Sequence, residues 1–124
     1  MRLAKTVFTL AGIWGIVVLL PLYFSFDLVG RVYPPAVTHP DFYYGFAAVA
    51  LAWQVAFLVI GRNPVRLRPM MIPAIAEKLG YVLTLTVLYL RGRLLLGQFA
   101  VAVPDFLLGL LFVFSFVKVS SAGR

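Results

Sequence analysis

Glu77 stands inside a long apolar stretch and is the side chain best placed to do chemistry in this sequence. Tyr81 and Thr84 follow it at i+4 and i+7, so the three side chains share one face of a helix. Such a face could carry protons or bind the polar group of a ligand. Alternatively, Glu77 is structural and accepts hydrogen bonds from Arg66, Arg68 or a neighbouring helix. In either case we expect it to be inward and paired, because an unpaired charge in apolar surroundings is costly.

Asp105 directly follows Pro104 near the start of the last apolar stretch, and its carboxylate could serve three purposes. It could cap free N–H groups at the amino end of a helix, where a negative charge is favourable. It could form an ion pair with a basic residue expected at the same end of the molecule, namely Arg31, Arg91 or Arg93. It could also bind a ligand.

His39 is the only histidine and lies just before Asp41, a candidate N-cap of the following helix. Histidine titrates nearest physiological pH, so His39 would be the general acid or base if the protein were an enzyme. The alternative is a contact with a loop or a lipid headgroup. A single histidine and zero cysteines argue against thiolate metal sites and bis-histidine haem. We predict no metal and no cofactor, and we assign no catalytic residue.

Gln54, next to Trp53, falls in the middle of another apolar stretch, where its amide needs a hydrogen-bonding partner. Helical spacing places it on one face with Tyr43, Ala47 and Ala50, and we expect that face to point inward. Gln54 could join two helices, or it could contact a lipophilic ligand such as an isoprenoid or quinone. The candidate residues for ligand binding or proton handling are Glu77, Tyr81, Gln54, Trp53, His39 and Asp105.

Four apolar stretches carry most of these residues and define the expected fold. We predict helices at about 6–26, 42–61, 70–90 and 99–117, with an external loop at 27–41. Each stretch matches the roughly 20 residues that a bilayer core requires, and 63% of the chain is hydrophobic with a mean hydropathy of +1.01. The predicted fold is all-α, an integral membrane four-helix bundle with up-down-up-down connections, and residues 1–124 form a single transmembrane domain.

Small residues and prolines predict details of the packing. We expect close helix contacts at Gly12 and Gly15 in the first span and at Ala48 and Ala52 in the second. Pro21 removes a backbone donor well inside the first span, so we expect a kink there.

The distribution of lysine and arginine predicts the orientation. The amino terminus, the second connection and the carboxyl end contain seven of these residues, and the other two connections contain three. An excess of this kind marks the cytoplasmic side. We therefore expect both termini in the cytoplasm, Glu77 and Asp105 on opposite sides of the membrane, and Lys78 snorkelling toward the cytoplasmic surface. Basic residues at helix ends do not form a nucleic-acid platform, so no nucleic-acid partner is predicted.

The chain resembles the DoxX-like group of small four-helix bacterial membrane proteins over residues 42–118. The similar features are the run FYYGFAAVALAWQVAFLVIGRNPVRLRP, the Glu77-Lys78 pair, the Arg91-Gly92-Arg93 turn and a last helix that begins at a Pro-Asp pair. The resemblance implies the fold and a location in the bacterial inner membrane. Most members of such families are uncharacterised, so it implies no catalytic residue.

Four short helices without a repeat or a nucleotide-binding loop favour a protein without its own catalysis. We expect an accessory subunit of a larger membrane complex or a bundle that binds a lipophilic small molecule, in either case in contact with the lipid bilayer. The alternatives are a membrane enzyme acting on an isoprenoid or sterol-like substrate, and a small transporter.

The orientation is testable because the native chain has no thiol. We expect Val37→Cys to react with a membrane-impermeant thiol reagent in intact cells and Ala122→Cys to be protected, since positive charge marks the cytoplasmic side. Lysis should expose Ala122→Cys. The opposite labelling pattern would contradict the predicted topology.

Overall fold

The computed structural model describes residues 2–32 and 38–122, and all regular structure within these ranges is helical. The α-helices are α1 (Arg2–Leu19), α2 (Phe26–Val32), α3 (Pro40–Arg62), α4 (Met71–Leu90), α5 (Leu96–Ala100) and α6 (Ala102–Ala122). Two 3-10 segments, Leu20–Phe24 and Arg68–Met70, extend α1 and precede α4. Four spans, Arg2–Phe24, Pro40–Arg62, Arg68–Leu90 and Leu96–Val119, are long and apolar enough to cross a membrane. The predicted all-α fold with four spans is confirmed.

The helix ends differ from the predicted ones. The first helix begins at Arg2 rather than at about residue 6, and the last ends at Ala122 rather than at about residue 117. A helix can continue past the hydrocarbon core through the headgroup region. Part of the predicted external loop at 27–41 is helical and belongs to α2, and residues 33–37 of that loop lie outside the described ranges. The prediction that Asp41 caps the second span is wrong: His39 occupies the N-cap position without a side-chain bond.

Pro21 ends the regular α-helix of the first span. The α-helical hydrogen bonding stops at Leu19, and the chain continues as a 3-10 segment that contains Pro21, which has no backbone N–H to donate. The hydroxyl of Ser25 donates a hydrogen bond of 2.7 Å to the carbonyl oxygen of Pro21. The change from α-helix to a 3-10 segment therefore occurs next to the residue where a kink is predicted, and the bend of the helix axis itself stays a prediction.

The long helices are antiparallel in sequence order. Phe8, in the first half of α1, packs against Phe57 near the end of α3 and against Phe112, in the second half of the span Leu96–Val119 that contains α6. Arg68, just before α4, donates a hydrogen bond to the carbonyl oxygen of Phe116, late in α6. Helix α1 lies along α3 and also against α6, while α6 lies along α4. Helices α3 and α4 meet at few points, and we call the gap between them the seam.

The hydrophobic core fills one end of the bundle. We call this the terminal end, because it holds the amino terminus, the turn before α4 and the end of α6. The rings of Phe8 and Phe112 stack with centroids 4.2 Å apart, and Phe57 meets Phe112 edge-on at 4.9 Å. All three rings are fully buried. Three helices are therefore joined by one aromatic cluster at the terminal end.

Small residues bring α1 and α3 together, but only partly as predicted. A Cβ atom on Gly12 or Gly15 would overlap side chains or backbone of α3, so both glycines permit the close approach. The expectation for Ala48 and Ala52 is wrong, because both are exposed. The inner face of α3 instead carries Ala47, Ala50, Gln54, Phe57 and Gly61, which follow a helical period shifted from the predicted pair.

Aromatic side chains close the opposite end of the bundle, which we call the loop end. Phe26 of α2 packs against Tyr43 and Tyr44 with centroid distances of 5.0 and 5.5 Å, and Tyr23 stacks on Tyr44. The hydroxyl of Tyr43 donates a 2.7 Å hydrogen bond to the carbonyl oxygen of Leu22. The 3-10 segment and α2 are thereby held on the start of α3.

The aromatic core predicts that two phenylalanines of the first span differ strongly in how much stability is lost when each is replaced by alanine. We expect Phe8→Ala to lower the free energy of unfolding by about 3–5 kcal/mol, because it leaves a cavity among packed rings. Phe24→Ala is the matched control, since Phe24 is 86% exposed and should change stability little. Thermal melting in mild detergent measures both, and equal melting temperatures would contradict this description of the core.

Candidate functional site

Three charged side chains meet inside the bundle between α4 and α6. The ammonium nitrogen of Lys78 lies 3.1 Å from Asp105 Oδ1 and 3.8 Å from Glu77 Oε2. Lys78 is only 3% exposed, and its Nζ lies 5.2 Å from the centroid of the Phe57 ring. We call Glu77, Lys78 and Asp105 the ion cluster. When all three are ionised, two carboxylates and one ammonium give the cluster a charge of −1.

The ion cluster corrects several predictions about depth. Lys78 does not snorkel toward the surface, and Glu77 and Asp105 are not on opposite sides of the bundle. Lys78 is 10 residues from Arg68 and 12 from Leu90, which places it about 15 and 18 Å from the ends of its span. The long lysine side chain reaches across to α6 because a carboxylate partner lies within 3.1 Å there, which makes burial of the charge tolerable.

The predicted arginine partners of the two acids are also wrong. Arg31, Arg91 and Arg93, expected to pair with Asp105, are exposed, and the carboxylate receives the ammonium of Lys78 instead. Arg66, expected near Glu77, is exposed as well. The other expected partner of Glu77, Arg68, lies over the ring of Phe116, with its guanidinium carbon 3.7 Å from the ring centroid.

Gln54 faces inward as predicted and leaves one polar atom without a partner. Its amide nitrogen donates a 2.9 Å hydrogen bond to the carbonyl oxygen of Ala50, one turn earlier on α3. A carbonyl can only accept, so the amide must present its NH₂ group there and its oxygen on the other side. The oxygen of Gln54, a residue that is 1% exposed, has no hydrogen-bond partner among the described residues and points toward Gly15.

A cavity of about 250 Å³ connects these polar groups. All four spans contribute to its wall, with Trp14 and Gly15 from α1, Gln54 from α3, the ion cluster from α4 and α6, and Tyr81 one turn beyond Glu77. Apolar residues form the rest of the wall. The cavity lies on the loop-end side of the aromatic core, since Leu19 at the end of α1 and Phe46 near the start of α3 line it.

A groove of about 510 Å³ runs along the seam beside this cavity. Its lining is mainly apolar and aromatic and comes from α3, apart from Glu77, which α4 contributes. Glu77, Phe46 and Ala50 line both the groove and the cavity. The groove is open to the outside of the bundle, so the seam gives a lateral path to the ion cluster.

The structure brings most of the predicted site residues together. Glu77, Tyr81, Gln54 and Asp105 line the cavity, and Trp53 lines the groove. His39 is apart from them: it is exposed before α3, with its ring 5.1 Å from that of Phe42.

Sequence reasoning missed Lys78 and Phe46 as members of the site. Lys78 did carry a signal, because a basic residue in the middle of an apolar stretch and next to an acid is costly without an inward partner. Phe46 carried none that separates it from other aromatic residues of the spans.

The site offers oxygen acceptors, one ammonium donor and the hydroxyl of Tyr81. Within residues 2–32 and 38–122, no group of three or more histidine, aspartate or glutamate side chains is placed to hold a metal ion. The two carboxylates and Tyr81 could accept or release a proton, and the acceptor oxygens could bind the polar group of a ligand that donates hydrogen bonds.

Comparison of the chain with protein-family models, curated proteins and solved structures finds no match. The resemblance to the DoxX-like group therefore stays a prediction from the sequence. The functional argument rests on the geometry of the ion cluster, the cavity and the seam.

The ion cluster predicts an order of stabilities for substitutions. Asp105→Leu leaves Lys78 buried beside a more distant carboxylate, and we expect a loss of about 3–5 kcal/mol. Glu77→Leu should cost less, because Glu77 Oε2 is 3.8 Å from the ammonium and Asp105 Oδ1 is 3.1 Å away. Glu77→Gln should cost less still, since it keeps the shape and the polarity of the side chain. The double variant Lys78→Met/Asp105→Leu should recover most of the loss.

Thermal melting in mild detergent gives the order, with Asp27→Asn as the control for removal of an exposed carboxylate. If Asp105→Leu melted like the native protein, the ion pair would contribute no stability and the account of the cluster would be wrong.

Proposed function

We propose that this protein binds an amphiphilic lipophile, whose apolar chain lies in the seam and whose polar group reaches the ion cluster. The observation that supports this most strongly is that Glu77 lines both the open groove and the inner cavity. A single molecule could therefore contact apolar side chains and charged groups at the same time.

The groove suits an apolar chain that enters from the bilayer. Phe42, Phe46, Val49 and Trp53 line the groove, and α3 and α4 meet at few points along the seam. The groove has a volume of about 510 Å³, within the roughly 300–1,000 Å³ that is usual for small-molecule sites, and the adjoining cavity adds about 250 Å³. A lipophile would not have to cross the polar ends of the bundle to reach this site.

The cavity suits a polar group because it contains unsatisfied acceptors. Glu77 Oε2 and Gln54 Oε1 are buried and have no hydrogen-bond partner among the described residues. Burying such atoms without a partner costs about 1–3 kcal/mol each, more for a charged group. A ligand that donates hydrogen bonds to them would recover that free energy.

The other functions predicted from the sequence can be separated from this one. An accessory subunit would carry a stoichiometric protein partner, and the exposed apolar surfaces of the spans could contact one. An enzyme acting on a lipophile would use the same cavity, with Glu77 or Tyr81 as the proton-transferring group, and would convert the bound molecule. A transporter would move it across the membrane.

The proposed setting follows from the sequence. We propose a multi-pass protein of the bacterial inner membrane with both termini in the cytoplasm, supported by the seven-to-three distribution of basic residues and the resemblance to the DoxX-like group. In that orientation the terminal end with its aromatic core faces the cytoplasm, and the cavity lies toward the external half.

Two helical glycines offer a matched test of the seam. A Cβ atom would meet nothing within 4 Å at Gly45, which lines the groove, or at Gly80, which does not. We expect Gly45→Phe to fill the groove and lower the fraction of protein carrying a bound lipophile several-fold, while Gly80→Phe leaves it unchanged. Native mass spectrometry of the gently extracted protein measures that fraction.

Equal occupancy in the two variants would contradict the seam as the binding site. A stoichiometric protein partner without any bound small molecule would contradict the proposed function and support an accessory subunit. Chemical conversion of the bound molecule would support the enzyme alternative.

A further inference from the structure

We infer that the lipophile carries a protonated amine, which the ion cluster and Gln54 receive as hydrogen-bond acceptors. This inference rests on the proposed function, because it names the polar group of the same ligand. The hydrogen-bond donors, the acceptors and the charges around the cavity support it.

Two buried oxygens at the cavity, Gln54 Oε1 and Glu77 Oε2, lack a hydrogen-bond donor among the described residues. Lys78 donates to Asp105 Oδ1 at 3.1 Å, and its Nζ is too far from Glu77 Oε2, at 3.8 Å, for a hydrogen bond. A ligand with only acceptor groups would leave both oxygens unsatisfied, whereas a ligand with N–H donors could satisfy them.

Gln54 supports the same conclusion independently of the acids. One N–H of its NH₂ group donates to the carbonyl oxygen of Ala50, and its buried oxygen has no hydrogen-bond partner among the described residues, so that oxygen is an acceptor for a ligand. A primary ammonium has three N–H donors, enough for Gln54 Oε1 and Glu77 Oε2 together.

The charge of the cluster favours a cation over a neutral donor such as an alcohol. With Glu77, Lys78 and Asp105 ionised, the buried cluster carries a charge of −1, and a single positive charge neutralises it. Aromatic rings add to this preference, because Trp14, Phe46 and Tyr81 line the cavity and their faces attract cations.

The surrounding surface favours an organic cation over a metal ion. Calcium and magnesium require about six or more oxygen ligands, whereas one carboxylate oxygen of Asp105 already receives Lys78. The groove next to the acceptors is mainly apolar and suits an alkyl chain attached to the ammonium. The ammonium could belong to a single-chain amine or to the ethanolamine headgroup of a phospholipid.

Both tryptophans of the chain line the site, which provides a direct readout. Trp53 lines the groove and Trp14 the cavity, and the sequence contains no other tryptophan. Bromine quenches tryptophan fluorescence on contact, so an alkyl chain brominated at its end reports its own binding. The probes are ω-bromoundecylamine, ω-bromoundecanol and ω-bromoundecanoic acid, added to protein in phosphatidylcholine nanodiscs at equal membrane concentration.

We expect the amine to quench at the lowest concentration and the acid at the highest. Glu77→Gln should weaken binding of the amine by about tenfold or more, because it removes a charge-assisted hydrogen bond. The same substitution should change binding of the alcohol little. Asp27→Asn removes an exposed carboxylate and should leave the order unchanged. If the ethanolamine headgroup is the natural ligand, replacing phosphatidylcholine by phosphatidylethanolamine should weaken the apparent binding of the amine probe by competition. If a single-chain amine is the natural ligand, the binding of the probe should stay unchanged.

The failure of this inference differs from the failure of the proposed function. If the alcohol or the acid quenched the native protein as strongly as the amine, the ligand would not be an amine, and a lipophile site would still be present. If no probe quenched the native protein more than it quenched Gly45→Phe, no lipophile would occupy the seam and both proposals would be overturned.

Discussion

The ion pair between Lys78 and Asp105 is the interaction on which the rest of the structure depends. Each of these groups would cost about 2.5–3.5 kcal/mol or more in the apolar middle of a membrane span, so they require each other. Their contact at 3.1 Å joins α4 to α6 and places a polar centre inside the bundle. The ammonium nitrogen lies 3.8 Å from Glu77 Oε2, too far for a hydrogen bond, so this buried oxygen has no hydrogen-bond partner among the described residues.

The bundle divides into a packed half and a half that contains the proposed binding site. At the terminal end, Phe8, Phe57 and Phe112 are fully buried against one another. The cavity and the groove lie on the loop-end side of this cluster, between spans of which α3 and α4 meet at few points. Gly15 lets Gln54 approach α1 closely, which places an amide oxygen in the same cavity. The aromatic core and the proposed binding site thus lie in different halves of the same four spans.

The sequence predicted the elements well and the side-chain partners poorly. Apolar stretches of about 20 residues are a local signal, so all four spans were found, and the helical period correctly turned Gln54 inward. The partners of Glu77 and Asp105 depend on which spans are neighbours and on the depth of each residue. The count of basic residues at the helix ends led us to expect Lys78 near the cytoplasmic surface. That count could not show that a carboxylate of α6 lay within reach of the side chain. The predictions for Ala48 and Ala52 failed because a small-residue pair does not fix the rotation of its helix.

A distance measurement in lipid bilayers tests the central claim most directly. Solid-state NMR can recouple the ammonium nitrogen of ¹⁵N-labelled lysine with the carboxyl carbon of ¹³C-labelled aspartate, and Asp105→Asn identifies the signal. The account predicts a short lysine–aspartate contact, consistent with 3.1 Å between Lys78 Nζ and Asp105 Oδ1, that disappears in the variant. Absence of this contact in the native protein would show that the two charges do not meet inside the bundle, and the ion cluster would be wrong.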